Sequence, residues 1–320
     1  MYLERGLTAD PNAAHAQVAN GNARRVRGEL DGAAELHARA VNGLTAPDRP
    51  EILAAVQLHA MVSPGARAMV SIATIPGRES SLRRVVGSLL PQVGRINVYL
   101  NGYPEVPEYL DHPKVVVARS QEHGDAGDAG KFFWLGCEAE YYLTCDDDIL
   151  YPPDYAVRTI AAIERYGRKA VIGWHGSILG DPFRDYYDTR TILSFYRACK
   201  RDVAVHILGT GAVGFHASTL ALAFSDFPVP NMADVWLGVK GQQARVPFIG
   251  CAHGAGELRP IEQFEDDEAI WKACVNNAGG RRDTRRRQND VVLANWPWSI
   301  HEASVVPWAR RLAAWMRLGR

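Results

Sequence analysis

The sequence predicts an α/β fold, a mixed and mainly parallel sheet flanked by helices, with a helical appendage at the N-terminus. Three observations carry this. From residue 68 onward, short runs rich in Val, Ile and Tyr recur (AMVSIATI, RINVYLNG, KVVVARS, YYLTC), most of them leading into a Gly, Pro or charged cluster. Strands covered by helices on both faces read as such near-continuous apolar runs, and that is the texture of a parallel sheet. Between the first two runs stands SSLRRVVGSLLPQV, whose apolar positions fall at helical spacing. Before residue 63 the texture differs: the chain is Ala-rich, and Val26, Leu30, Ala33, Ala34, Leu36, Ala38 and Val41 recur with roughly helical period.

Taken in order, residues 1–65 form the expected appendage. Gly28 and the Asp31-Gly32 pair break its pattern at a turn, EILAAVQLHAMV supplies a further helix, and Ser63-Pro64-Gly65 reads as a linker. One such helical pair resembles a single tetratricopeptide unit, but only one copy is present, and a packing appendage is the plainer reading. Residues 66–258 form the core. AMVSIATI is its first strand, followed by Pro76-Gly77-Arg78, and the helix after it takes Ser80 or Ser81 as cap. RINVYLNG and KVVVARS are the second and third strands; a helical stretch around KFFWLGCEAE leads into YYLTC. KAVIGWHG, the two short strands of VHILGTGAVGFH around a Gly-broken loop, and ARVPFIGCAH complete the core. Residues 259–320 are a basic, Trp-rich helical tail.

Bulk composition excludes several classes. The 36 basic and 36 acidic residues balance, which argues against a general nucleic-acid binder. Five cysteines (Cys137, Cys145, Cys199, Cys251, Cys274) lack CxxC spacing and are odd in number, so reduced thiols are expected in place of a disulfide framework or zinc site. No apolar signal region opens the chain and no run of about 18 apolar residues occurs, so a cytoplasmic protein is expected.

The chemistry concentrates in YYLTCDDDILYPPDY, residues 141–155, where Asp146, Asp147 and Asp148 follow an apolar strand. In extended backbone Asp146 and Asp148 point one way and Asp147 the other. Two carboxylates on one side suit Mg²⁺ or Mn²⁺, with a bound phosphate completing the shell. A solvated acidic turn leading into a helix near Pro152 or Pro153 is the competing reading. In parallel sheets ligands bind beyond the carboxyl ends of strands, so Pro76–Arg78, Asn101-Gly102 and the three aspartates should converge.

The ordered blocks VSIATIPGR, QVGRINVYLNGYPEVPEYL, GDAGKFF, LTCDDDILYPPDY, VIGWHG, LGTGAVGFH and ADVW, spread over about residues 69–255, resemble nucleotide-sugar glycosyltransferases of the Rossmann-like GT-A fold. Within that class they resemble bacterial polysaccharide enzymes such as the α-GlcNAc transferases of heparosan-type capsule. The resemblance implies that Asp146 and Asp148 hold Mn²⁺ or Mg²⁺ on the donor diphosphate, with Asp147 near the sugar or ribose. A cation there stabilises the charge of the leaving nucleoside diphosphate. It also implies that Ala73, Thr74, Pro76 and Arg78 cradle base and ribose, that Asn101 hydrogen-bonds the base, and that Asp128 and Lys131 face uracil or ribose and phosphate.

Other readings stand beside these. Arg78 alone reads as a surface cation and Asn101 as a turn residue. GDAGDAGKFF is not a Walker A motif, because Phe132 follows the lysine where Ser or Thr is needed, and Asp128 reads equally as a helix cap. Lys131 gains weight because the chain has only six lysines. Gly209, Thr210 and Gly211 offer backbone without side-chain bulk to a sugar, or form a buried turn. Asp234 is expected on the acceptor side, as general base in an inverting enzyme or as an orienting group in a retaining one. Trp236 offers a sugar platform or packs in the core. His253 is the expected third metal ligand, with His175 and His301 competing for the place.

The resulting expectation is a transferase that moves a sugar from a nucleotide donor, a UDP-sugar such as UDP-GlcNAc, to a glycan hydroxyl in bacterial surface polysaccharide synthesis. A sugar-phosphate nucleotidylyltransferase is the first alternative, although VSIATIPGR lacks the Gly-rich loop such enzymes carry. A non-catalytic scaffold with a vestigial core is the second. In the tail, GGRRDTRRRQND and PWARRLAAWMRLGR interleave Arg with Trp, which suits peripheral contact with the inner membrane, a lid over the donor, or a solvated helix.

Overall fold

A computed structural model describes residues 67–261 and 282–306. The helices expected within 11–62, the linker at 63–65 and the amphipathic stretch 307–320 lie outside the described residues.

The apolar runs become strands where expected: β1 (Ala68–Thr74), β2 (Arg95–Leu100), β3 (Val115–Arg119) and β4 (Tyr141–Cys145). With β6 (Val171–Gly173), β9 (Val203–Val205), β11 (Ala212–His216) and β12 (Phe248–Gly250) they form one eight-stranded sheet, ordered β3-β2-β1-β4-β11-β6-β12-β9. Pairing is parallel between β1 and β2, β2 and β3, β1 and β4, and β6 and β12. Strand β11 runs antiparallel to both β4 and β6, and β9 is antiparallel to β12. The sheet is therefore mixed and mostly parallel, a Rossmann-like α/β architecture.

Alternation of side chains sorts the strands onto two cores. On one face Val70, Ile72, Val98, Leu143 and Cys145 pack with Leu82 and Val85 of α1 (Glu79–Leu89) and with Ile160 and Ile163 of α3 (Tyr155–Arg165). The helix α2 between them in sequence is the single turn Ser120–His123. On the other face Met69, Tyr99, Tyr142, Val213 and Phe215 pack with Phe132, Phe227 and Leu237, the last from α4 (Ala233–Ala244). Leu82 is fully buried, and cutting it to Ala would cost about 2–5 kcal/mol in lost transfer energy and residual cavity.

Several local expectations are corrected. The cap position of α1 is Arg78 with no side-chain cap, and Ser81 instead donates its hydroxyl to the Arg78 carbonyl. The stretch around KFFWLGCEAE is not an α-helix: Gly127–Phe132 forms a 3₁₀ helix, followed by turns. Gly130 there lies so close to the Tyr99 ring that a Cβ would sit 2.7 Å from it. The helix after the aspartates starts at Tyr155, past both prolines.

Described parts of 259–320 pack on the core. Strand β13 (Arg259–Pro260) pairs with β5 (Ile149–Leu150) immediately after the aspartates, and the Ile261 N–H donates to the Asp148 carbonyl at 2.7 Å. Helix α5 (Arg282–Ala294) contributes Val292 to a cluster with Trp298 and with Val235 and Val239 of α4. A three-stranded sheet, β10-β7-β8 (Ile207–Leu208, Gly176–Leu179, Arg190–Leu193), completes the fold.

Candidate functional site

Strand order locates the site before any residue is considered. β2 and β3 extend from β1 in one direction while β4 lies on its other side, so the order reverses between β1 and β4. At such a reversal the loops leave in opposite directions and open a crevice beyond the carboxyl ends. Ile75–Arg78 follow β1 there and Asp146–Asp148 follow β4.

The triplet is held at its two ends through the backbone of Asp146 and Asp148. The Asp146 N–H is shared between the Gly211 carbonyl at 3.2 Å and the Tyr151 hydroxyl at 2.8 Å, and that hydroxyl donates to the Gly211 carbonyl at 2.5 Å. Residues 147 and 148 then turn, so strand alternation holds only as far as Asp146. Asp146 and Asp148 do not share one ion-pair partner as extended backbone would suggest. Asp146 pairs with Lys131, whereas Arg78 Nη1 reaches Asp147 Oδ1 at 2.7 Å and Asp148 Oδ2 at 3.2 Å. Basic side chains thus face each member of the triplet.

Charge is nonetheless out of balance. Asp128 and Asp234 adjoin the same centre, so five carboxylates surround Arg78 and Lys131. Burial, reinforced by the charges on Asp146 and Asp147, pushes the Asp148 carboxyl up to about 7. Burial likewise raises Asp128 to about 7 against the opposing pull of Lys131. For Lys131 burial pulls the ammonium down, but Asp146 and Asp128 outweigh it and hold the pKa above the usual lysine range. Arg78 behaves in the same way between Asp147 and Asp148.

The Gly-broken loop is shaped by the site. A Cβ on Gly211 would lie 2.0 Å from Asp146 Oδ2, and one on Gly209 would lie 2.7 Å from the His175 ring. The missing side-chain bulk therefore makes room for Asp146 and His175, where the sequence suggested room for a sugar. Thr210 between them is buried; its hydroxyl donates to Asp234 Oδ1 at 2.9 Å, and its carbonyl accepts from the Thr144 hydroxyl at 2.7 Å. Asp234 stands in the first turn of α4, where the helix dipole favours a carboxylate.

Asn101 is committed to the protein itself. Its Oδ1 accepts from the Ala126 N–H at 3.0 Å and its Nδ2 donates to the Gly127 carbonyl at 3.0 Å, so it shapes the Gly-rich segment in place of reading a base. Thr74 is buried with its hydroxyl 3.2 Å from that of Tyr103. Ala73 is half-buried, Pro76 exposed. Asp128 acts as a cap, but for a remote helix: its Oδ2 accepts from the Ala233 N–H of α4 at 3.0 Å. Trp236 is half-buried, packed between two apolar clusters.

Among the histidines, His253 is buried with Nδ1 2.7 Å from the Cys251 carbonyl and Nε2 3.3 Å from the Ser194 carbonyl. Both ring nitrogens face backbone acceptors, which removes the expected third ligand. His301 neighbours His206. His175 is the one beside the carboxylates: burial lowers its pKa, Asp234 and Asp146 counteract that, and its Nδ1 is buried without a hydrogen-bond partner among the described residues. Among those residues no group of three or more His, Cys, Asp or Glu is arranged to hold a metal. Asp146 and Asp148 still fit Mg²⁺ or Mn²⁺, because such ions bind through one or two carboxylates plus substrate phosphates, and the surplus negative charge favours a cation.

Two residues were missed by the sequence reading. Tyr151 ties the aspartates to the glycine loop, and the only sequence signal is an aromatic three residues past the triplet. Arg190 on β8 lies 4.2 and 4.7 Å from the ring centroids of Tyr186 and Tyr187, with no carboxylate partner among the described residues. Its charge reaches His175. The tail arginines are more ordinary: Arg285 is bound by Asp185 and Asp188, while Arg286 and Arg287 pair with Asp283 on their own helix. No helix among the described residues is long and apolar enough to cross a membrane. A cleft of about 270 Å³ opens between the Gly-rich segment (His123, Asp125, Ala129) and Phe224 and Phe227. None of the three aspartates lines it.

Fold and site define a Rossmann-like α/β protein with an acidic centre at its topological switch point. The chain matches no protein-family model, and no curated protein matches it.

Proposed function

We propose that the protein is a metal-dependent glycosyltransferase of the GT-A type, transferring a sugar from a nucleotide donor, a UDP-sugar, to a glycan hydroxyl in bacterial surface polysaccharide synthesis. One observation carries the reading. A rigidly held aspartate triplet, short of positive charge, stands at the crevice where a doubly wound sheet receives a nucleotide.

Asp146 and Asp148 would hold Mn²⁺ or Mg²⁺. Bound there with the donor, the cation supplies neutralisation of the charge left on the nucleoside diphosphate as the glycosidic bond breaks. Arg78 positions Asp147 and Asp148 through its two contacts, and buried Asp147 acts by holding Arg78 in turn. Buried Lys131 balances the Asp146 carboxylate. Asp234, oriented through Oδ1 by Thr210, is the acceptor-side carboxylate; it takes the hydroxyl proton in an inverting reaction or steers the acceptor in a retaining one. The proposal places the enzyme in the cytoplasm, with any inner-membrane contact made through its tail.

The test is release of nucleoside diphosphate from UDP-, GDP- and CMP-sugars with Mn²⁺ present, first with water and then with oligosaccharides as acceptor. Turnover of a UDP-sugar that is lost in Asp234→Asn or Asp148→Ala supports the reading. No turnover of any donor, with the protein folded, contradicts it.

A further inference from the structure

The 3₁₀ helix Gly127–Phe132 carries Asp128 and Lys131 three residues apart. In a 3₁₀ helix residues i and i+3 eclipse, so these two side chains leave the same edge. The Lys131 side chain is 4% exposed and its ammonium pairs with Asp146 Oδ1. Asp128 lies within its electrostatic reach, and only one of the Asp128 oxygens is used: Oδ2 accepts from Ala233, whereas Oδ1 is buried with no hydrogen-bond partner among the described residues. A buried carboxylate oxygen left unpaired beside a buried ammonium is costly unless a second arrangement uses it.

Lys131 holds Asp146 Oδ1, while the absent side chain of Gly211 leaves room beside Oδ2 and the carboxylate is 38% exposed. A cation that ligates Asp146 through Oδ1 must displace the ammonium from it. We propose that Lys131 is a two-position counter-ion, resting on Asp146 without a divalent cation and moving to Asp128 Oδ1 when a cation takes Asp146. Asp128 is then a positioning residue that sets cation affinity without touching the cation. This rests on the proposed metal site and adds an exchange within it.

The test is a double-mutant cycle on Mn²⁺ affinity, measured calorimetrically on the full chain with MnCl₂ alone and with UDP. Lys131→Met removes the competitor and should tighten Mn²⁺ binding by about tenfold, the scale of a close charge pair. Asp128→Asn keeps an acceptor for the Ala233 N–H but removes the charged berth, and should weaken Mn²⁺ about tenfold. In the Lys131→Met background, Asp128→Asn should change affinity by less than about twofold, because Asp128 acts only through the lysine. If the two effects instead add, Asp128 acts through space and the exchange is wrong. Weaker Mn²⁺ binding in Lys131→Met also overturns it, since the lysine would then support the site. Lys131→Gln replaces Lys131→Met if thermal melting shows the latter unfolded. Wild-type protein that binds no Mn²⁺ with UDP overturns the metal site itself, whereas binding with additive mutants overturns the exchange alone.

Discussion

Replacing Gly211 by alanine isolates the site from the fold. Gly211 is not among the glycines with positive φ, so alanine is conformationally allowed there, and the cost falls on what its Cβ would touch. That is Asp146 Oδ2 at 2.0 Å and Cγ at 2.6 Å, whereas ordinary contact begins at 3.4 Å. The carboxylate must retreat by about 1.4 Å, and being 38% exposed it can do so into solvent. Lys131 on the other side of that pair is buried, so straining it should cost the fold about 1–3 kcal/mol. Turnover should suffer as well, because a misplacement of about 1 Å at a reacting centre costs about 10²-fold in rate. Release of UDP from a UDP-sugar with Mn²⁺ should therefore be slowed about 100-fold in Gly211→Ala while the melting transition stays cooperative. A rate within about threefold of wild type would refute the argument, since Asp146 would then not need its present position.

Other consequences follow from the same geometry. Gly130→Ala drives a methyl into the Tyr99 ring and should lower stability by about 1–3 kcal/mol in chemical denaturation, whereas Gly87→Ala on the exposed face of α1, with nothing within 4 Å, should raise it by about 0.5–1 kcal/mol. Asn101→Ala removes both hydrogen bonds to the Gly-rich segment and should cost about 1–3 kcal/mol, with faster amide exchange confined to residues 124–130. Asp148 has its carboxyl raised from 3.8 to about 7, so the folded state holds the proton more tightly than the unfolded chain does. Its stabilising contribution is full below about 4 and is lost as pH rises through about 7. Melting in EDTA should accordingly show Asp148→Asn gaining on wild type between pH 5 and pH 8; a gain that shrinks with pH would contradict the burial argument.

How much of this was legible in the sequence depends on the element. β1, β2 and β4 could be read because each is an apolar run buried on both faces, a signal that needs no partner, and the edge strand β3 because its three consecutive valines favour extended backbone. The meeting of Arg78 with the aspartates followed from their places at strand ends, whereas the strand order that makes this a switch point did not. The Gly127–Phe132 segment was misread because KFFWL has helical composition, yet Gly130 against Tyr99 and the glycines before it favour a tighter turn. Asp148 departs from strand alternation because residues 147 and 148 turn before β5 meets β13, so its ion-pair partner differs from that of Asp146. Asn101 and His253 illustrate a different limit: each has the right residue type at a strand end, but the Asn101 amide is taken up by the backbone of residues 126 and 127, and the His253 ring lies between the Cys251 carbonyl two residues before it and the distant Ser194 carbonyl. Arg190 escaped for the converse reason, since nothing in DYYDTR announces a guanidinium lying against two rings.

The central claim is that the aspartate triplet holds a divalent cation on a nucleoside diphosphate. Calorimetric titration of the purified chain with UDP, with and without Mn²⁺, on wild type and Asp148→Ala, tests it most directly. The account predicts UDP binding that requires Mn²⁺ and disappears in Asp148→Ala, with the variant still folded. UDP binding that is indifferent to Mn²⁺, or unchanged in Asp148→Ala, would contradict it.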